Sequence, residues 1–109
     1  MRVAFYNSSS GRSPVEDFIG TLSKVDQARF RDVFEGIESY GLECPRVQFR
    51  QLRGKLWEIK FSGPAGGYRI AYVVVEKEVM VWLHAFKKST QKTPTRDLDL
   101  AEKRLQEIL

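Results

Sequence analysis

The sequence predicts an α+β domain: a small, mainly antiparallel sheet with two helices ahead of it and one behind. Two observations carry this. Residues 56–88 hold three short runs rich in Val, Ile, Tyr, Trp and Phe, split by Gly-rich or charged punctuation. That is the signature of neighbouring strands joined by tight turns. On either side lie segments whose apolar residues recur at three- and four-residue spacing, the period of a helix with one buried face.

Arg2 to Tyr6 reads as a first strand, ended by the polar stretch Asn7–Arg12. Ser13, Pro14 and Glu16 then form a helix start, with cap, first-turn proline and capping-box acid in place. Val15, Phe18, Ile19 and Leu22 make its apolar stripe. A second helix starts at Ser23 or Lys24 and runs to about Tyr40, with Phe30, Val33, Phe34 and Ile37 inside and Gly41 as the stop. The pair is an αα-hairpin laid on one face of the sheet. Leu42–Gln48 is a connection broken by Pro45. Phe49–Arg53 is a short strand, turned by Gly54.

The meander follows: Leu56–Phe61, Gly67–Val75 and Val79–Lys88, with SGPAGG as a loop and Glu76-Lys77-Glu78 as a charged turn. By alternation, Tyr68, Ile70, Tyr72 and Val74 share one face, and Arg69, Ala71, Val73 and Val75 the other. In the last strand Val79, Val81, Leu83 and Ala85 oppose Met80, Trp82, His84, Phe86 and Lys88. Both faces are apolar, so these strands are central and covered on both sides. After the polar loop 89–95, a final helix opens near Thr93–Thr95, with Leu98, Ala101, Leu105 and Ile108 on its apolar side.

The 109 residues fit one domain spanning 1–109, and no apolar run approaches a membrane span. The N-terminal stretch lacks the apolar core of a secretory signal, so the expected location is cytoplasmic. A single cysteine, Cys44, and a single histidine, His84, exclude an internal disulfide and argue against a structural zinc site. No phosphate-binding loop, dinucleotide fingerprint or paired-histidine metal motif occurs, and no cofactor or metal is called for.

Charge is uneven. Residues 46–96 carry 11 basic and 3 acidic side chains, net +8, whereas 1–45 and 97–109 are each net −2. Concentrated positive charge is the footprint of a phosphate-backbone binder. Arg69 stands out as a guanidinium near the start of a mostly buried strand. It must meet a carboxylate such as Glu58, reach solvent, or face a cleft that receives an anion. Lys60, Lys87 and Lys88 are expected at the same rim of the sheet, with Arg50, Arg53, Lys55 and Lys92 as further cations around it. Converging cations suit chemistry in which negative charge gathers on phosphate oxygens. Tyr68 is a candidate base-stacking platform. His84 reads as a packed residue beside Trp82 and Phe86, or else as a general acid or base. Trp57 and Trp82 read as core.

LWEIKF (Leu56–Phe61), GYRIAYVV (Gly67–Val74), VWLHAFKKSTQKTP (Val81–Pro94) and DLDLAEKRL (Asp97–Leu105) together resemble the RelE/HigB superfamily of bacterial type II toxins, in its phage-derived HigB-like branch. With the helical hairpin, the resemblance spans nearly the whole chain. It implies a RelE-like fold and an endoribonuclease that cuts mRNA on the ribosome, silenced by a cognate antitoxin, often a helix-turn-helix protein. It implies that Arg69 binds the scissile phosphate, that Lys60, Lys87 and Lys88 assist, and that the RNA's own 2′-OH attacks without a metal. Asp97 loosely matches an acid near the family's last helix. Two departures stand out. Glu58 occupies a position that is basic in the family, and Ser89 interrupts the Lys-Lys-Thr-Gln run. The alternative is an inactive RelE-like module that binds RNA or a partner. A repressor role lacks a helix-turn-helix to support it.

Overall fold

The computed structural model describes residues 1–109, and the α+β expectation holds. The chain runs β1 (Arg2–Phe5), α1 (Pro14–Gly20), α2 (Lys24–Tyr40), β2 (Gln48–Arg53), β3 (Leu56–Gly63), β4 (Gly66–Val75), β5 (Val79–Lys87) and α3 (Thr95–Ile108). The five strands form one sheet in the order β1-β5-β4-β3-β2. β1 pairs with β5 in parallel, and the other three pairings are antiparallel. No helix is long and apolar enough to cross a membrane.

Local chemistry sets the helix ends. Ser13 Oγ accepts from the Glu16 amide and Ser23 Oγ from the Asp26 amide, each at 3.3 Å, satisfying first-turn donors. Gly41 ends α2 at φ 61°, where a side chain would be strained. The segment 62–67 is tighter than the expected loop. β3 and β4 run on to Gly63 and Gly66, leaving Pro64-Ala65 as the turn. The buried Asp26 carboxylate braces it, accepting from Tyr68 Oη at 2.5 Å and from the Ala65 amide at 3.5 Å.

The hairpin α1–α2 covers one face of the sheet and α3 the other, giving two cores. Val15, Phe30, Val33 and Ile37 meet Ile59, Ile70, Tyr72 and Trp82 on the hairpin side. Ala101 and Leu105 meet Tyr6, Leu56, Ala71, Val73 and Leu83 on the α3 side.

Strict alternation fails in β5. Ala71 pairs with His84 but Tyr72 with Trp82, so Leu83 is an extra residue, a β-bulge. Met80 and Trp82 share a face as expected, and it is the hairpin's, whereas Leu83 faces α3. Beyond the bulge the faces exchange, so Ala85 joins the hairpin core while His84 turns to α3. The expected grouping of His84 with Trp82 is therefore corrected. The bulge is what brings the histidine to Asp97 of α3.

Candidate nucleic-acid-binding groove

Where β3 ends and β4 begins, the sheet rim is flanked by two irregular segments, 45–47 before β2 and 88–91 after β5. Between them lies an open groove of about 1010 Å³. Four cations line it: Arg29 from α2, Arg46 from the connection, Lys60 from β3 and Lys88 beyond β5. Gln48, Ser62, Ser89, Thr90 and Gln91 supply uncharged hydrogen-bonding groups, and no carboxylate lines the groove.

One of these cations, Arg29, is fixed in advance. Arg29 Nε donates to the Ser62 carbonyl at 2.9 Å and its Nη2 to the Arg46 carbonyl at 3.1 Å. The same guanidinium lies over the Phe61 ring, 5.3 Å from its centroid. Arg46 holds a left-handed backbone at φ 65°, unusual for a side-chain-bearing residue. That turn presents its carbonyl to Arg29. An anion entering here meets the Arg29 guanidinium already in place.

Lys60 and Lys88 thus converge as expected, but Arg69 does not join them at the surface. Lys60 and Arg69 are cross-strand partners. The Arg69 side chain is 1 % exposed and lies beneath the groove's loop wall. Its Nη1 donates to Thr93 Oγ1 at 3.0 Å and sits 3.6 Å from Glu58 Oε1. Its Nη2 donates to the carbonyls of Thr90 and Gln91 at 2.7 and 2.6 Å. Of the readings open to this arginine, the carboxylate pairing is the one observed, and direct contact with a groove ligand is corrected for this conformation. Glu58 Oε2 also accepts from Arg50 Nη2 at 3.0 Å, while Thr93 Oγ1 donates to Glu58 Oε1 at 2.7 Å. Arg50 is accordingly the half-exposed end of a buried network.

The remaining expected residues disperse. Tyr68 is buried under the helical hairpin, so base stacking is corrected. Burial, reinforced by the bond to Asp26, pushes its phenol up to about 12 and keeps it a neutral donor. Lys87 is exposed and stands outside the groove lining, with its side-chain end beside Gly66 at the β3–β4 turn. Lys92 is exposed in the loop outside the lining. Arg53 and Lys55 flank the β2–β3 turn at the far end of β3, roughly 17 Å of strand from Lys60. These two are corrected as members of one site with Lys60.

His84 lies outside the groove. Its Nε2 is 2.8 Å from Asp97 Oδ1, and its Nδ1 is 3.4 Å from Arg104 Nη1. Burial holds its pKa below the ordinary histidine value, outweighing Asp97. A neutral ring that donates from Nε2 to Asp97 and accepts at Nδ1 from Arg104 fits this geometry. His84 and Asp97 therefore clamp β5 to α3.

Sequence reasoning missed Arg29 and Arg46. A charged side chain off the apolar stripe of α2 reads as solvated exterior, and Arg29 is one such residue. Its one visible signal is its place beside Phe30 of the buried stripe. Arg46 follows Pro45 in a connection that carries no pattern. No group of three or more His, Cys, Asp or Glu side chains could hold a metal ion.

The fold and groove define a class: a three-layered α+β domain, with helices on both faces of one sheet and a carboxylate-free basic groove at one end of it. Residues 17–106 match the family described as phage derived protein Gp49-like (DUF891), and the chain belongs to that family. Among curated proteins, none matches it.

Proposed function

We propose that this protein is the toxin of a type II toxin–antitoxin module, a ribosome-associated endoribonuclease that inhibits translation by cutting mRNA in the cytoplasm. The observation that carries the proposal is the groove itself: four cations, no carboxylate, and amide and hydroxyl groups between them. Such a surface attracts a polyanion and repels nothing in it. The phage-derived family supports the same reading.

In this proposal a phosphodiester lies across Lys60 and Lys88, with Arg29 and Arg46 holding the flanking phosphates. The RNA 2′-hydroxyl gives its proton to water as its oxygen attacks phosphorus, and the bond to the 5′-oxygen breaks, that oxygen taking a proton from water or from a lysine ammonium. The products are a 2′,3′-cyclic phosphate and a 5′-hydroxyl. The ammonium groups stabilise negative charge on the phosphoryl oxygens as it grows. The groove offers no imidazole or carboxylate to move protons, so the lysines carry the electrostatic part of catalysis. The partner that silences the toxin is an antitoxin, a helix-turn-helix protein presenting acidic groups to these cations.

A second reading has its own observation. Arg69 is paired with Glu58 and covered, which favours a module that binds RNA without cutting it. Induced expression separates the two. Growth arrest with new mRNA 5′ ends at ribosome-protected positions, abolished by Lys60→Ala with Lys88→Ala, is the outcome expected of the nuclease. Ribosome association with intact mRNA favours the binding module. Neither arrest nor association overturns both.

A further inference from the structure

Arg69 is incompletely satisfied for a buried guanidinium: both Nη atoms have partners and Nε has none. Arg50 and Arg69 share one carboxylate, Glu58, so the cluster keeps a net positive charge. Arg69 Nε is buried with no hydrogen-bond partner, one of two such side-chain atoms in the protein. Covering an incompletely paired charge is costly. The cover is not a helix or strand. It is the loop after β5, whose Thr90 and Gln91 carbonyls accept from Nη2 and whose Ser89, Thr90 and Gln91 also form a wall of the groove. One thin segment thus separates the arginine from the space that Lys60 and Lys88 line.

We infer that residues 89–92 form a latch, held shut by Arg69, over an inner anion site made of Arg69, Lys60 and Lys88, and that a phosphodiester in the groove opens it. This rests on the nucleic-acid reading of the groove and deepens it. Two neutral carbonyls are weaker partners for a guanidinium than a phosphate that binds it with paired charge-assisted bonds. A ligand shifts a two-state loop only through its differential affinity for the two states. A phosphate meets Arg69 in the open state alone, so the differential is built in. Thr93 is the hinge end of the latch, because its hydroxyl stays tied to Glu58 and Arg50 on the far side.

The test uses the whole protein, uniformly ¹⁵N-labelled, and follows the arginine Nε–H signals together with the backbone amides of residues 89–92 by NMR. The first probe is a 2′-O-methyl RNA tetranucleotide, which binds but cannot be cleaved. The second is inorganic phosphate, which asks nothing of RNA recognition. The latch predicts that saturation with the tetranucleotide shifts the Arg69 signal and speeds its exchange with water roughly tenfold, as expected for a local opening. In Arg69→Lys, which keeps the charge but loses the fork, the same probe binds and residues 89–92 show the open-state shifts before it is added. If the tetranucleotide moves Arg29 and Arg46 while Arg69 and the loop stay unchanged, the latch is overturned and RNA binding stands. If only phosphate moves Arg69, the latch stands and the RNA reading fails. If neither probe moves it, the latch is wrong.

Discussion

Glu58 holds two guanidiniums and one hydroxyl while fully buried, and its value to the fold lies in what its loss would strand. Glu58→Gln leaves Arg50 and Arg69 facing an uncharged group, with the Arg69 side chain 1 % exposed. Removing one member of such a buried set costs about 3–5 kcal/mol. Urea unfolding of Glu58→Gln should therefore show a much lower midpoint with an unchanged slope. His84 makes a second prediction, set by pH. Burial depresses its folded pKa, so the unfolded chain binds its proton first as pH falls. Its contribution is present above the ordinary histidine value near pH 6.5 and fades as pH drops through the lower folded value. Thermal unfolding between pH 7 and pH 5 should lose stability, and His84→Gln should flatten the slope in that window.

At the scale of elements, α2 carries a position where the ordinary rule reverses. Gly36 lies inside the helix, and glycine there normally costs about 1 kcal/mol against alanine. A Cβ at Gly36 would sit 2.7 Å from Cys44 Sγ, whereas the Cys44 Cβ is 4.0 Å away. Cys44 is buried, so its sulfur has little room to yield. Gly36→Ala should lower the melting temperature in the wild-type background and raise it in Cys44→Ala. A double-mutant cycle measures the coupling directly. In β5, one extra residue decides which side of the sheet each later side chain serves. Without the bulge, His84 would join Trp82 in the hairpin core and α3 would lose its clamp.

For the molecule as a whole, charge is sorted by topology. The basic stretch 46–96 is folded so that Arg46, Lys60 and Lys88 meet, and α2 adds Arg29 from an otherwise acidic segment. If the groove binds single-stranded RNA through these groups, affinity falls with salt by a slope of about 0.7 per phosphate neutralised. Binding measured by fluorescence anisotropy across salt concentrations should give Lys60→Ala a slope shallower by roughly that amount. Lys55→Ala, at the far end of β3, should leave the slope unchanged.

Much of this was legible in the chain because it is written locally. Alternation marked β3 and β4, the serine caps and Gly41 bounded the helices, and the lone Cys and His restricted the chemistry. The convergence of Lys60 and Lys88 also followed, since strand ends in a meander share a rim. Other features are non-local. Nothing near Arg69 in sequence says that carbonyls 21 and 22 residues away will cover it. Nothing near Arg29 says that its guanidinium will settle over Phe61. By itself the sequence determined the fold class, the two apolar faces and the segment holding the positive charge, because propensity and periodicity act over a few residues. Only the tertiary structure decided which cations face the groove and which is shut beneath it, because desolvation and pairing depend on neighbours that the chain brings together only by folding.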